Sequence, residues 1–270
     1  MKEDFFIKNI SNRHIGDDGA VIDGYVYATD SFFEDVHFKR NWLSLSEIIE
    51  KSVLVNLSDI IVMNAKPKYA LVNIGFPNTY TLKEIKEITE TFNKCAHKYG
   101  FEIIGGDTVK NEKLTISITF IGITSKPVFR KAKLGEYVAY TGNLGGVSKD
   151  LKTLLRGGKI SKKSKFIKPV LKKEFFYRAA DYVTSALDIS DGLFKELERI
   201  SETSKVGFRF FKKLDKNVGC SGEEYEILFT FPKKNLSKIL NLAKLTRTEI
   251  NIIGMTTRGK FRSICKENHF

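Results

Sequence analysis

The sequence predicts an α/β (α+β) protein of two domains, and three observations support this. Apolar runs of strand length alternate with amphipathic helical stretches along the 270 residues. Carboxylate-bearing turns follow several of the predicted strands. A lysine-containing stretch around Pro127, Lys126–Lys133, separates two such α/β units. We therefore expect an N-terminal domain at residues 1–128 and a C-terminal domain at residues 129–270.

Composition limits the classes of protein to consider. The chain is 42% hydrophobic, which is enough for a core. No apolar run reaches the ~18 residues of a membrane span, and residues 1–6 lack the pattern of a signal peptide. Three scattered cysteines, Cys95, Cys220 and Cys265, lack metal-binding spacing, so we expect reduced thiols in a cytosolic protein.

The formal charge of +13 raises the possibility of nucleic-acid binding. Lysines occur along the whole chain, however, and no recognised nucleic-acid-binding module is present. The densest group, called here the lysine segment, consists of Lys159, Lys162, Lys163, Lys165, Lys168, Lys172 and Lys173. Two interpretations remain open for it: a solvated loop and helix face, or a surface that attracts phosphorylated small molecules.

The first predicted elements carry acidic motifs. Gly16-Asp17-Asp18-Gly19 has the composition of a turn, and the strand predicted at residues 25–28 ends in Thr29-Asp30. His37 follows between apolar residues, as a core histidine or as a substrate contact.

A buried helix is predicted at residues 47–65, with Ser46 as its N-cap and Glu50 a turn later. Asn56 and Asp59 lie three residues apart on one face of this helix. A buried carboxylate needs a partner, either a basic side chain or a metal, and we favour a metal for Asp59.

The next elements lead to a glycine-rich acidic motif. A strand at residues 69–76 precedes a helix that begins at the Thr81–Glu84 capping box and ends at Gly100. A short buried strand at residues 101–104 should then deliver Gly105-Gly106-Asp107-Thr108 to the edge of the sheet. The strand at residues 114–124 alternates apolar with Thr and Ser residues, which predicts one buried face.

The second domain repeats the pattern. A strand at residues 137–140 is followed by helices at residues 147–155 and 175–183. The run Ser185-Ala186-Leu187 leads into Asp188-Ile189-Ser190-Asp191-Gly192, whose following helix, residues 193–201, has a first turn able to face phosphate. The turn Gly222-Glu223-Glu224-Tyr225-Glu226 leads into a strand at residues 227–230.

These carboxylates suit magnesium, which prefers oxygen ligands and bridges carboxylates to phosphates. The candidate ligands are Asp17, Asp18, Asp30, Asp59, Asp107, Asp188 and Asp191. Zinc is disfavoured because the cysteines and histidines lack ligand spacing. Neither a Walker-type phosphate loop nor a protein-kinase catalytic loop is present. The residues alone therefore indicate a magnesium-dependent enzyme that acts on a phosphate compound.

Seven motifs, in order, resemble those of the thiamine-monophosphate kinase family and cover nearly the whole chain. They are Gly16–Val21; Thr29-Asp30-Ser31 with Val36-His37-Phe38; Val55–Ile60 with Met63–Pro67; Gly105–Thr108; Asp188–Leu193; Gly222–Glu226; and His269-Phe270.

The resemblance implies the fold shared with aminoimidazole ribonucleotide synthetase and selenophosphate synthetase. In that fold an N-terminal mixed sheet with helices forms a dimer barrel, and a C-terminal α/β domain completes the substrate site. The implied reaction moves the γ-phosphate of ATP directly onto thiamine monophosphate, giving thiamine diphosphate, the last step of its biosynthesis. The implied protein is a cytoplasmic homodimer that binds neither nucleic acid nor membrane.

The resemblance also implies roles for particular residues, carried over by position. The magnesium ligands would be Asp18, Thr29, Asp30, Asp59, Asp107, Asp188, Asp191 and, through its backbone carbonyl, Ala28. ATP would contact Gly106, Asp107, Arg130, Ser190 and Tyr99. The thiamine phosphate would contact His37 and Glu223.

The chain departs from the family in three places. The second domain looks shortened between Gly207 and Gly222. Ser221-Gly222-Glu223-Glu224 replaces a Gly-Gly-Glu-Asp pattern, and residues 261–265 lack the family's tryptophan. Phe261, Phe270 and Tyr225 are the aromatic residues that could replace it at the thiamine ring. Two rival functions remain: a sister enzyme such as aminoimidazole ribonucleotide synthetase, and a basic nucleic-acid-binding protein.

Overall fold

Two five-stranded sheets organise the structure, a computed structural model that describes residues 5–7 and 9–265. The first contains β1 (Ala20–Ile22), β2 (Tyr25–Phe33), β3 (Lys66–Phe76), β4 (Glu102–Lys110) and β5 (Thr115–Ile123), in the order β1-β2-β5-β3-β4. It is mixed, as predicted, because β3 and β4 are parallel and the other neighbours antiparallel.

The second sheet lies later in the chain and is antiparallel throughout. It contains β6 (Tyr137–Thr141), β7 (Ser185–Asp188), β8 (Gly207–Phe210), β9 (Ile227–Phe231) and β10 (Ile250–Thr257), in the order β7-β9-β6-β10-β8. The division at residue 128 stays a prediction.

The central helix α1 (Leu45–Val62) lies between the two sheets and packs against β2, β5 and β7. Its N-cap is Ser44, which forms a reciprocal capping box with Glu47, so the predicted cap at Ser46 is wrong. Ser44 and Ser46 are both possible N-cap residues, but only Ser44 is followed three residues later by a glutamate, Glu47. The helix is buried on most sides, as predicted, and its apolar residues join one continuous core with the second sheet.

Helix α2 (Leu82–Tyr99) confirms both predicted ends. Thr81 and Glu84 exchange capping hydrogen bonds, and Gly100 ends the helix in a left-handed conformation with φ of 79°. Its buried residues, including Ile88, Phe92 and Cys95, face α1.

Strands β2 and β4 extend further than predicted. β2 continues through Thr29-Asp30 to Phe33, and β4 continues through the glycine-rich motif to Lys110. Every residue of β4 is exposed in the single chain, so the prediction of a short buried strand at residues 101–104 is wrong. The reason is topological, because β4 is an edge strand that pairs only with β3.

The edge strand β4 requires glycine at position 106. Its φ is 143°, and a Cβ atom there would lie 1.8 Å from the carbonyl oxygen of Val72 on β3. Any side chain at position 106 would therefore collide with the neighbouring backbone.

The helices of the second unit are α3 (Gly146–Leu155), α4 (Lys173–Ala179), α5 (Leu193–Ser204), α6 (Lys216–Gly219) and α7 (Leu236–Leu245). The 3₁₀ turn Lys233–Asn235 precedes α7. The helix predicted to reach residue 183 ends at Ala179, and β8, α7 and β10 were not predicted.

The cysteines correct the prediction of reduced thiols. Cys220 and Cys265 are 45 residues apart in sequence, yet they form a disulfide with their Cα atoms 5.5 Å apart. Cys220 follows α6, and Cys265, in the segment after β10, packs against the same hydrophobic cluster as Cys220. Only Cys95 is a free thiol among the described cysteines, and it is buried. Across the part of the chain that the structure describes, no helix combines the length and apolar character needed to cross a membrane.

Candidate active site

Three predicted carboxylates converge between the two sheets. Oxygen atoms of Asp18, Asp59 and Asp188 lie within 4.8 Å of one another; we call this group the aspartate cluster. Asp18 precedes β1, Asp59 lies on α1 and Asp188 ends β7, so three distant segments supply it. The predicted grouping of these three residues is therefore found in the structure.

Burial and mutual repulsion raise the pKa values of carboxylates in the aspartate cluster. Burial raises the pKa of Asp59 well above its ordinary range, and the nearby carboxylates of Asp30, Asp188 and Asp18 raise it further. The pKa of Asp188 is also raised, first by burial and then by Asp18. The Ser58 hydroxyl donates to Asp188 Oδ2 at 2.6 Å but only partly offsets this effect.

A divalent cation fits this arrangement. Its charge would relieve the repulsion among the carboxylates, and their hard oxygen atoms match the ligand preference of magnesium. Within the described residues, no histidine or cysteine joins the cluster, which argues against zinc.

Arg130 is the basic residue nearest the cluster. Its guanidinium pairs with Asp18 at 2.5 Å, and its backbone N–H donates to Asp17 Oδ1 at 2.6 Å. Asp17 thereby anchors the backbone that carries Arg130, and its own pKa is raised mainly by burial. The structure thus brings the predicted ATP contact Arg130 beside the aspartate cluster.

The predicted residues of β2 divide between the two faces of the sheet. Asp30 lies on the side of α1, where its backbone N–H donates to Asn56 Oδ1 at 2.8 Å. Thr29 lies on the open face, where its hydroxyl donates to the carbonyl of Ile118 at 3.2 Å. The side chain of Thr29 therefore points away from the aspartate cluster. A role for its backbone, or for the backbone carbonyl of buried Ala28, stays a prediction.

Asp191 and Ser190 lie in the loop after Asp188 and contact a second basic residue. Arg199 pairs with Asp191 at 2.5 Å and with Glu196 at 2.7 Å. Glu196 Oε1 also accepts the backbone N–H of Asp191, at the start of α5, and the hydroxyl of Ser190. An internal carboxylate therefore lies beside the helix start at which we expected phosphate.

Three predicted residues lie away from the cluster within one chain. Gly106 and Asp107 are on β4, and β5 and β3 separate that strand from β2. Tyr99, at the end of α2, donates to Glu50 Oε1 at 3.0 Å, and burial raises the pKa of Tyr99 to about 12. Their predicted contacts with ATP need either another chain or another arrangement.

His37 and Glu223, the two predicted substrate residues, are connected through the ring of Phe32 and the buried Lys51. His37 Nδ1 accepts the backbone N–H of Phe33 at 3.0 Å, which leaves Nε2 to carry the ring proton. Its ring centre lies 5.4 Å from that of Phe32 in a tilted arrangement, and the Phe32 ring centre lies 5.5 Å from Lys51 Nζ. Lys51 Nζ is fully buried and bonds Glu223 at 2.7 Å.

Lys51 was missed by the sequence reasoning, although its signal was visible: it is a charged residue inside an apolar helix, like Asp59. Its ammonium also lies 4.2 Å from the Phe166 ring centre. Glu223 is further fixed by its backbone N–H, which donates to the carbonyl of Ser190 at 2.6 Å.

The aromatic residues suggested for the thiamine ring have different surroundings. Phe261 packs against Phe194, Phe208 and Phe210, so its ring belongs to the core of the second unit. Tyr225 is buried, and its pKa is raised first by burial and then by Glu223, Asp30 and the aspartate cluster, which puts its ring near the site. Phe270, and with it the His269-Phe270 motif, lies outside the described residues.

Comparisons with known proteins identify relatives of this chain. The family model for the N-terminal domain of AIR synthase related proteins matches residues 16–124. A thiamine-monophosphate kinase of Pyrococcus horikoshii is 30% identical, over 97% of this chain and 89% of the relative.

Solved structures share the fold. The chain superimposes on AaThiL complexed with AMPPCP and TMP with a TM-score of 0.85 at 24% identity, covering 97% of this chain and 91% of that one. A thiamine monophosphate kinase from Aquifex aeolicus gives a TM-score of 0.84 at 23% identity, covering 98% and 96%. The predicted two-unit fold of mixed sheet and α/β unit is confirmed, although the first sheet is open in the single chain. On the identity and coverage of its relative, the chain belongs to the thiamine-monophosphate kinase family.

Proposed function

We propose that this protein transfers the γ-phosphate of ATP to the phosphate of thiamine monophosphate. The bond between the γ-phosphorus and the bridging oxygen of ATP breaks, and a bond from that phosphorus to a phosphate oxygen of thiamine monophosphate forms. The products are ADP and thiamine diphosphate. The observation that carries the proposal is the convergence of Asp18, Asp59 and Asp188 in a chain of this family.

The residues beside the cluster provide the binding groups. Arg130 can turn its guanidinium from Asp18 to a phosphate, because both are anions of similar geometry. His37 is oriented by its bond to the Phe33 backbone, and Lys51 holds Glu223 as an ordered anion for the cationic thiamine. Phosphoryl transfer needs mainly such positioning and charge neutralisation.

Magnesium is the metal that we assign to the aspartate cluster. Asp18, Asp59 and Asp188 would hold it, with Asp30 adjacent. When bound, it supplies neutralisation of phosphate charge. We retain Asp191, Asp107, Thr29 and Ala28 as further ligands from the family pattern, and Gly106, Ser190 and Tyr99 as ATP contacts.

We further propose a homodimer formed through the first sheet. Its open face carries Thr29, Ser117 and Thr119, and β4 exposes Ile104 and Val109 at 52% each. An exposed edge strand with apolar side chains favours pairing with a second surface. A partner covering this face would also bury Asp107. We retain the cytoplasm as the location, since the reaction consumes ATP.

The test is an assay of the purified protein with ATP, magnesium and thiamine monophosphate. We expect thiamine diphosphate and ADP in equal amounts. Free thiamine is the matched control and should be a poor acceptor, because the acceptor oxygen belongs to an existing phosphate. Absence of thiamine diphosphate from folded protein would contradict the proposal, and light scattering at micromolar concentration tests the dimer.

The rival functions make different predictions. A sister enzyme would cyclise formylglycinamidine ribonucleotide and leave thiamine monophosphate unchanged. A nucleic-acid-binding protein would show salt-sensitive binding to DNA or RNA without needing the aspartate cluster. The named relative and the aspartate cluster both favour the kinase.

A further inference from the structure

A cavity of about 690 Å³ lies on the side of α1 opposite the aspartate cluster. Leu54, Leu57 and Ile61 of α1 form its floor. At 100° per residue, these three project away from Asp59 on the same helix. The remaining walls are Pro67 at the start of β3, Tyr99 and Gly100 at the end of α2, segment 162–171, and α4. The cavity therefore lies apart from the aspartate cluster, and of the residues assigned to ATP it contains only Tyr99.

The rim of this cavity is cationic. Lys66, Lys162, Lys163, Lys168 and Lys173 line it, and none of its lining residues is acidic. Four of the five come from the lysine segment whose role the sequence left open. We call the site the lysine-rimmed cavity.

The carboxylate of Glu50 pairs with only one of the five rim lysines, Lys168. Glu50 accepts hydrogen bonds from Lys168 at 2.7 Å and Lys98 at 2.8 Å. Burial opposes its ionisation, but these lysines and Tyr99 outweigh that effect and lower the pKa of Glu50. Within the described part of the chain, no ion pair is formed by Lys66, Lys162, Lys163 or Lys173. Lys173 only approaches the Tyr99 ring, at 6.0 Å.

Not every lysine of the lysine segment faces the cavity. Lys165 points inward, where it pairs with Glu226 at 2.8 Å and Glu224 at 3.4 Å. The positive charge at the rim is thus specific to certain positions in the segment. A solvated loop would not need an apolar floor beneath those positions.

We propose that the lysine-rimmed cavity binds a small amphipathic anion, a molecule with one carboxylate or phosphate on a hydrocarbon or aromatic body. The volume falls within the range of roughly 300–1,000 Å³ that is typical of small-molecule sites. The apolar body lies along Leu54, Leu57 and Ile61, and the anionic group meets Lys162, Lys163 and Lys173. Burial of the body gives most of the affinity, and the lysines select against neutral analogues.

The experiment is a calorimetric titration of the full-length protein with sodium decanoate, and with 1-decanol as the uncharged probe of equal chain length. Decanoate should bind at least tenfold more tightly than decanol, and the difference should shrink as salt is raised. Binding is measured directly, so the result stands apart from whether the protein phosphorylates thiamine monophosphate.

Two variants locate the site. Replacing Lys162, Lys163 and Lys173 with Gln should weaken decanoate binding at least tenfold while leaving decanol unchanged. Lys149, Lys152 and Lys238, which do not line the cavity, form the matched control of equal charge change and should leave both affinities unchanged. Val170→Trp, at a half-exposed wall position, should weaken both probes by filling space.

Three results would overturn the proposal. Equal binding of decanoate and decanol would leave only an apolar pocket and overturn the proposal. Equal losses in the cavity and control lysine variants would indicate attraction to the basic surface as a whole and overturn it as well. No decanoate binding up to about 1 mM, an affinity near −4 kcal/mol, would do the same.

Discussion

Two groups of acids in the interior of the molecule differ in how their charge is balanced. Glu226 accepts hydrogen bonds from Thr141 at 2.6 Å and Lys165 at 2.8 Å. Glu224 accepts the backbone N–H groups of Gly145 and Val147 at the start of α3, and the hydroxyl of Ser221. The aspartate cluster instead gathers like charges, with Arg130 paired to Asp18 at its margin.

We interpret this difference as a division between acids that stabilise the fold and acids that bind a ligand. The glutamate pair, Glu224 and Glu226, is saturated by donors from its own chain, so it contributes to stability and has little capacity for a ligand. The aspartate cluster is short of positive charge, so it gains most from a ligand that brings one. Both groups consist of acidic residues in apolar or turn segments, and the distinction appears only when their partners are known.

The largest effect should come from the aspartate cluster. Asp59→Asn and Asp188→Asn should each lower turnover by a factor on the order of a hundred or more, about 3 kcal/mol of transition-state stabilisation. Asp30→Asn should act similarly. The melting temperature of metal-free protein should stay equal or rise, because a repelling charge is removed. Near-normal turnover in all three variants would contradict the assignment of the cluster.

Asp107→Asn tests the same assignment from the edge strand. We expect a loss of similar size, on the order of a hundredfold, if a second copy brings Asp107 to the site. The loss should be accompanied by unchanged melting, because Asp107 is exposed in the single chain. Full activity in this variant would remove Asp107 from the ligand set while leaving the aspartate cluster intact.

A substitution in the glutamate pair should lower stability and leave turnover nearly unchanged. Glu226→Gln removes the partner of Lys165, whose side chain is 25% exposed, and should cost about 2–3 kcal/mol of unfolding free energy. Chemical denaturation measures this cost. Turnover of the folded fraction should change by less than about threefold. A large loss of turnover with unchanged stability would show that the division between the two groups is wrong.

Lys51 tests the comparison because it is a buried charge within the fold and also holds Glu223, a predicted substrate residue. Lys51→Met should raise KM for thiamine monophosphate roughly tenfold, about 1.4 kcal/mol, since Glu223 loses a buried charge-assisted partner. KM for ATP should change little. Lys98→Met, which breaks a half-exposed pair with Glu50, is the control and should leave both constants within about twofold. Equal rises in both KM values would indicate general damage to the fold.

The smallest effect concerns pH. The pKa values of Asp59 and Asp188 are raised in the folded state, so the folded protein binds protons more tightly than the unfolded chain. Stability contributed by these groups should therefore fall as pH rises from about 4 toward the raised pKa values. Melting curves of metal-free wild type and Asp59→Asn should converge at low pH and separate as pH increases. A constant difference across pH 4–8 would show that Asp59 is not the group responsible.

The sequence predicted much of the aspartate cluster because local patterns mark its members. Asp59 stands in an apolar helix, and Asp188 follows a buried apolar strand, so both are costly unless they serve a function. Asp18 was found through its glycine-flanked turn. The Thr81–Glu84 capping box and the alternation of β5 were equally local signals.

Features that depend on strand order were not predictable in this way. Whether β4 is central or at an edge depends on which strands pair, and its apolar start gave no information on that. The inward direction of Lys165 could not be distinguished from the outward direction of Lys163, because both lie in one irregular segment. The burial of Lys51 was readable from its helix, but its pairing with Glu223 joins residues 172 positions apart.

The bond between Cys220 and Cys265 has a consequence for the unfolded chain. It closes a loop, 45 residues in sequence separation, that contains β9, α7 and β10. Loop closure of this length lowers the conformational entropy of the denatured ensemble by the equivalent of about 4 kcal/mol at 25 °C. The folded state of the second sheet is stabilised by that difference only while the bond is intact. The reducing power of the surrounding solution therefore acts on this protein as a thermodynamic variable, alongside temperature and denaturant.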